Sequence, residues 1–283
     1  MIDRRSLVTA AALASTALLG CGRSARAATP WDKWQDLLNF RPNAAPLVQE
    51  RQRRERQGAS DPTYDIQRIE EATSELINFD FYGVQIAAMP THASAPNSPI
   101  ELLVHIRRNL GEFVDHELGT LHGIDQQDAD DWRNETQAPL GALMYFKIPK
   151  WYVFHEEAAV VVSHSAADNW IFSPVTVPRQ KTGRWSGPGA HPITGNRQFG
   201  ITRQRGGFLI YARAVDRVLR SKDMVVVSDA DVFKGAEDLW RSFQRNVAFF
   251  IDSTGGKAGI IPPTILQPQW SDVRDSDLWR RPP

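Results

Sequence analysis

The chain has 283 residues, with 33 Lys and Arg against 33 Asp and Glu, so its formal net charge is zero. That balance excludes a generally basic surface for nucleic acid. A single cysteine excludes disulfides within the chain and any cysteine-built metal site. With 42% apolar and 23% charged residues the composition is that of a globular protein, and nine tryptophans enlarge the aromatic surface available to a core or a ligand.

The first residues read as an export signal. Asp3, Arg4 and Arg5 lead into a run of Ala, Leu, Val and Thr that ends at Gly20. This run is too short for a membrane span, which needs about 20 apolar residues, and matches the apolar core of a signal. Arg4-Arg5 followed by Ser6-Leu7-Val8 resembles a twin-arginine signal; a Sec signal carrying two arginines is the alternative. Leu18-Leu19-Gly20-Cys21 resembles a lipobox, in which Cys21 becomes a lipidated first residue. Ala25-Arg26-Ala27 offers instead a signal-peptidase site before Ala28. Residues 1–27 are therefore expected to be a signal cut before Cys21 or Ala28. The product is expected in the periplasm, tethered to the inner or outer membrane if Cys21 is lipidated. Either product stays near neutral, and roughly 255 residues suffice for a sizeable core.

Residues 28–79 read as a helical lead-in. Trp31, Trp34, Leu37 and Leu38 share one helical face. Glu50 to Gln57 is a charged, helix-prone stretch whose glutamates offset its arginines, as on a solvated helix. After a break at Gly58 to Pro62, the spacing of Ile66, Ile69, Ala72 and Leu76 predicts an amphipathic helix.

Residues 80–261 carry the expected globular domain. Phe81 to Met89 reads as a strand. Ser98-Pro99-Ile100-Glu101 combines an N-cap Ser, Pro at the first helical position and a capping-box Glu. Leu103, Ile106, Leu110 and Phe113 give that helix an apolar stripe, with a stop at Gly119. Strands are predicted over Leu140 to Ile148, Val153 to Ser163, Trp170 to Val177, Phe199 to Arg203 and Phe208 to Val215, with Met224 to Val227 as a further one. Arg205-Gly206-Gly207 reads as a hairpin loop. Phe233, Ala236, Trp240, Phe243, Val247 and Phe250 then mark a long helix ended by Gly255-Gly256. Residues 262–283, rich in proline, read as an extended tail that wraps the surface or frays.

This order predicts an α+β fold: a mostly antiparallel sheet with amphipathic helices on one face and a long C-terminal helix. In element order it resembles the helix-grip proteins, and the resemblance implies a curved sheet enclosing an apolar cavity against that helix.

The densest polar stretch is Gly189 to Gly200, GAHPITGNRQFG. His191 titrates near neutral pH, and Arg197 can fork onto a carboxylate or phosphate. Arg213, Asp216 and Arg217 lie on the hairpin partner. The candidate catalytic pair is His191 with Asp216, and the candidate ligand-binding residues are Asn196, Arg197, Gln198, Arg213 and Arg217. The structural alternative is an Arg197–Asp216 ion pair that pins the hairpin.

Other chemistries find less support. His116, His122, Asp125, Asp128, Asp130 and Asp131 lack the glycine and closing glutamate of an EF-hand, and no H-E-x-x-H occurs. They read as a solvated loop leading to Trp132, with no metal. No G-x-S-x-G is present, and Ser163-His164-Ser165 alternates in direction along a strand, so it forms no dyad. No phosphate loop or dinucleotide fingerprint appears, so no cofactor is expected. The leading expectation is a non-enzymatic envelope protein that binds a small or lipid-like ligand or a protein partner. A periplasmic hydrolase centred on His191, with Asp216 and nearby arginines assisting, is the alternative, and an interaction protein of toxin–immunity or secretion machinery is the third reading.

Overall fold

The computed structural model describes residues 30–45, 47, 49, 65–134, 136–148, 156–176, 190–219 and 228–280. The expected signal with Cys21, the charged stretch Glu50 to Gln57 and the strand Met224 to Val227 lie outside them. No helix among the described residues is long and apolar enough to cross a membrane.

Nine strands of the described residues form one antiparallel sheet. They are β1 (Asp65–Ile66), β2 (Asn78–Ala88), β3 (Thr120–Gly123), β4 (Leu143–Ile148), β5 (Glu156–Ser165), β6 (Asn169–Thr176), β7 (Ile193–Gln204), β8 (Gly207–Val218) and β9 (Lys257–Leu266). Their order is β3-β4-β5-β6-β7-β8-β2-β9, with β1 paired to β6. The helices are α1 (Gln35–Leu38), α2 (Pro99–Arg108), α3 (Gln126–Asn134), α4 (Asp229–Ser253) and α5 (Trp270–Arg274). The α+β class, the antiparallel sheet and the long C-terminal helix are as expected.

Local chemistry explains where the helices start. Ser98 Oγ accepts from the Glu101 N–H at 3.3 Å while Glu101 reaches back to the Ser98 N–H at 3.2 Å, closing the capping box of α2. Ser228 and Asp231 make the same reciprocal pair at the head of α4. At the hairpin, Gly206 supplies the φ of +87° that turns β7 into β8.

Alternation along the strands divides two cores. Tyr82, Val84, Ile86, Phe199, Ile210 and Ala212 face α4, α2 and α3 in the main cluster. Trp240 on α4 meets Phe146 of β4 at 6.0 Å and Phe199 of β7 at 5.3 Å between ring centroids. Those strands are three places apart, about 14 Å on a flat sheet, so the sheet curls around the helix. Gln244, buried on α4, donates to the Gly83 and Ile261 carbonyls at 2.8 and 2.9 Å, tying the helix to both strands of a bulged pair.

Phe79, Ile171 and Val215 face the other way and meet Trp34, Leu37, Leu38, Val273, Leu278 and Trp279. The short α1 and α5 thus build a second, outer layer that the sequence reading did not anticipate.

Three local expectations are corrected. Residues 66–76 are not an α-helix; the helical part is one 3-10 turn, Ile69–Glu71. Ile66 pairs with Val175, Ile69 joins the outer core and Leu76 packs near Val218, so the apolar residues serve three separate partners. The acidic stretch after His122 is not a solvated loop but α3, where buried Asp128 accepts from the Leu143 N–H at 3.3 Å. Of the two courses expected for the segment from Pro262, residues 262–280 take the wrapping one, but only part of it is extended, since Trp270–Arg274 is helical. The expected boundary at 262 falls inside β9, an edge strand, where Pro262 and Pro263 oppose the single residue Tyr82 in a bulge. Proline lacks an N–H and is tolerated at such a place.

Candidate functional site

Along β7 and β8, residues two apart share a face, which separates the predicted site residues into two groups. Asn196, Gln198, Arg213 and Arg217 point to the outer layer. Asn196 accepts from Ser173 Oγ at 2.7 Å and donates to the Leu37 and Phe40 carbonyls at 3.4 and 3.3 Å. Gln198 bonds Asn169 at 3.0 Å and receives Arg213 Nε at 2.7 Å, while Arg213 also reaches the Lys33 carbonyl at 2.9 Å and the carboxylate of Asp36. Arg217 donates to the carbonyls of Ile69 and Ser74 and stacks 4.5 Å over Trp270. Burial, then the nearby Arg274, lowers its pKa to about 10. The expectation that these four gather with Arg197 around a ligand is corrected for three of them: Gln198, Arg213 and Arg217 fasten the outer layer to the sheet. Asn196, whose side-chain bonds also go to that layer, borders the same cavity as Arg197.

Arg197 and Asp216 face inward. Arg197 Nη1 and Nη2 hold Asp80 Oδ1 and Oδ2 at 3.0 and 2.7 Å, a two-pronged pair, and Nη2 lies 3.5 Å from Asp216 Oδ2. The guanidinium lies 4.4 Å over the Trp240 ring. The expected ion pair with Asp216 is thus present but secondary, and the main partner is Asp80. Asp80 lies one residue outside the predicted strand; its signal was an acid in the inward register that continues through Tyr82, Val84 and Ile86.

These residues border a cavity of about 80 Å³ between the sheet and α4. Phe146, Phe172, Leu239 and Trp240 supply apolar wall; His191, Arg197 and Asp216 supply the polar part. Gly195 also lines it, held at φ +115° where an added Cβ would lie 2.1 Å from the Val215 carbonyl oxygen.

Asp216 is only 4% exposed. Burial pushes its carboxyl up to about 8, Asp80 adds to the rise, and Arg197 and Asn78 oppose it. Its Oδ1 has no hydrogen-bond partner.

His191 is clamped by its backbone: its N–H donates to Gln67 Oε1 at 2.5 Å and its carbonyl accepts from Gln67 Nε2 at 2.8 Å. Its Nδ1 accepts from the Ile193 N–H at 3.0 Å, which places the ring proton of the neutral form on Nε2. Burial drives its pKa down to about 4, against a partial rise from the Ile193 bond. His191 and Asp216 share the cavity wall, but among the described residues no hydrogen bond joins them.

No family model matches the chain, and no curated protein matches it. Among solved structures it is similar to the di-domain ARO/CYC StfQ from the steffimycin biosynthetic pathway, at 12% identity and a TM-score of 0.39 over 63% of this chain and 52% of that one. The chain therefore spans about half the length of StfQ. It is also similar to Ara h 8.0201, at 8% identity and a TM-score of 0.31 over 59% of this chain and 97% of that one. A Chromobacterium violaceum protein, CV1439, aligns at 10% identity and a TM-score of 0.31 over 58% and 97% of the two chains. Likenesses this distant assign no family, and the α+β architecture stands on the sheet and helices themselves.

Proposed function

We propose that this chain is an exported envelope protein that binds a small ligand between its sheet and α4 without transforming it. The observation that carries this reading is the cavity: aromatic and aliphatic walls that desolvate a guest, beside a buried polar cluster that would orient it. An apolar cavity of about 150 Å³ holds a benzene-sized guest. A volume of about 80 Å³ suits a smaller guest, or the end of a longer lipid-like one.

The hydrolase reading is less well supported. A histidine titrating near 4 is a weak base at neutral pH, and its Nδ1 is already engaged. The interaction-protein reading needs a broad apolar surface. Among the described residues the exposed large hydrophobics are Ile100, Leu140, Phe249 and Ile260, which come from separate elements.

Ala236 lines the cavity from α4, so Ala236→Leu should fill it. The experiment is titration of short alkyl compounds into both proteins, followed by Trp fluorescence and calorimetry. Binding to the wild type that is lost in a folded Ala236→Leu variant supports the proposal. Equal binding to both refutes it.

A further inference from the structure

Resting on the ligand-binding reading above, we propose that the guest is an uncharged carbonyl compound, a small ketone or ester whose oxygen accepts from His191 Nε2–H while its carbon body lies against Phe172, Leu239 and Trp240.

The ring of His191 decides which polar group the cavity can meet. The Ile193 N–H donates to Nδ1 at 3.0 Å, so Nδ1 keeps its lone pair and the ring proton sits on Nε2. A second proton on the ring would set two N–H groups against each other and break that bond. Gln67 holds the His191 backbone at both its N–H and its carbonyl, which fixes where the ring stands. His191 lies on the cavity wall and is 8% exposed. Among the described residues its Nε2–H meets no acceptor, yet Nε2 is not one of the unpartnered side-chain atoms sealed from solvent. It is a reachable donor with nothing to donate to.

The other polar side chains of the wall are already committed. Thr194, fully buried, donates to the Arg217 carbonyl at 3.4 Å. Asn196 accepts from Ser173 and gives its amide hydrogens to the Leu37 and Phe40 carbonyls. Asp216 Oδ1 is sealed, and its Oδ2 faces Arg197 at 3.5 Å. Arg197 holds Asp80 with both terminal nitrogens, and its remaining Nε–H, without an acceptor among the described residues, is again a donor. The side-chain groups left open on the wall are therefore N–H donors, and they ask for an acceptor.

Charge narrows the class. Burial keeps Asp216 protonated below about pH 8, so Asp80 and Arg197 balance one another and the inner cluster is neutral. A carboxylate or phosphate guest would add an uncompensated buried charge. An ammonium would bring donors to a wall of donors. An alcohol could accept from His191 but would leave its own O–H unmet, which is costly in a buried site. A carbonyl oxygen accepts, carries no proton and adds no charge.

The probes are 2-butanone and 2-methyl-1-butene, which exchange C=O for C=CH₂ at nearly equal shape. Each is titrated into the purified protein and followed by Trp fluorescence, and the carbonyl stretch of isotope-labelled 2-butanone is recorded by infrared difference spectroscopy. In the bound state that stretch should lie below its value in hexane, as for a hydrogen-bonded carbonyl. This readout needs no variant, so it stands even if His191→Phe folds poorly. In folded His191→Phe the ketone should bind about two- to tenfold more weakly, the worth of one hydrogen bond. Its stretch should return towards the hexane value, and alkene affinity should not change. An unshifted stretch in the wild type, a shift retained in folded His191→Phe, or an equal loss of both probes overturns the carbonyl proposal. Propionate or n-propylamine binding more tightly than the ketone overturns it too. Alkene binding without ketone binding overturns it while leaving the cavity reading intact. If neither probe binds the wild type, both readings fall together.

Discussion

Asp80 and Arg197 meet across a strand that lies between them. In the sheet register Arg197 on β7 stands opposite Ala214 on β8, and Ala214 in turn stands opposite Asp80 on β2. The methyl group of Ala214 is low enough for the long Arg197 side chain to pass over it to the Asp80 carboxylate. Removing one partner of a buried pair strands a charge and costs about 3–5 kcal/mol. Arg197→Ala and Asp80→Ala should each destabilise on that scale, and the double variant should cost clearly less than their sum in chemical denaturation. Ala214→Leu should reproduce the loss without touching either charge.

Asp216 and His191 give opposite pH slopes. Asp216 rises from 3.8 unfolded to about 8 folded, so its contribution is full below pH 4 and is lost as pH rises towards 8. His191 falls from 6.5 to about 4, so its contribution is present above pH 6.5 and is lost as pH falls towards 4. Between pH 4 and 6.5 the two nearly cancel; from 6.5 to 8 Asp216 acts alone. Denaturation series should show wild-type stability flat in the first window and falling in the second. Each isolated slope should approach about 1.4 kcal/mol per pH unit. Asp216→Asn should remove the decline above 6.5, and His191→Asn should uncover an Asp216 slope below it.

Gly195 is a sharper test of backbone geometry. Its φ of +115° and the approach of the Val215 carbonyl leave no room for a methyl group. Gly195→Ala should lower the melting temperature strongly or prevent folding. Gly206→Ala in the hairpin, at φ +87° but with open space around the added carbon, should cost only about 1–2 kcal/mol.

Three of the four phenylalanines of α4 should rank by depth. Phe243 is fully buried, Phe250 half-buried against His105 and Phe113, and Phe249 is 73% exposed. Phe243→Ala should cost about 3–5 kcal/mol, Phe250→Ala distinctly less, and Phe249→Ala close to nothing in thermal melts.

The proposed export and tether have their own test. Wild-type protein should fractionate with membranes if Cys21 is lipidated, and Cys21→Ala should release it or leave it unprocessed. A mature chain beginning at Ala28 in the soluble periplasm would reject the tether.

What could be read from the sequence was local. The Ser98 capping box, the Gly206 turn and the stripe of α4 each lie within a few residues, and periodicity reports them. Ile66, Ile69 and Leu76 also have helical spacing, but their partners lie on distant elements that no window contains. Arg197 was singled out for its donors, yet spacing could not identify Asp80, 117 residues away and one strand beyond the hairpin. The same limit hid the division of Gln198 and Arg213 from Arg197, because a consecutive polar cluster on a strand necessarily serves both faces.

The outer layer also bears on how the chain must be finished. Asn39 donates to the Leu278 carbonyl at 2.6 Å and accepts from the Arg280 N–H at 2.7 Å, while Arg41 covers the Trp279 ring at 4.6 Å. These contacts join residues some 239 positions apart in sequence. Closing so distant a loop is slow, and a chain is made from its N-terminus onwards. Phe79, Ile171 and Val215 therefore stay uncovered by Val273, Leu278 and Trp279 until those residues have themselves been made. For that interval part of an apolar sheet face is open to chaperones or to neighbouring chains, and a truncation before Val273 would leave its cover to the N-terminal side, with Trp34, Leu37 and Leu38.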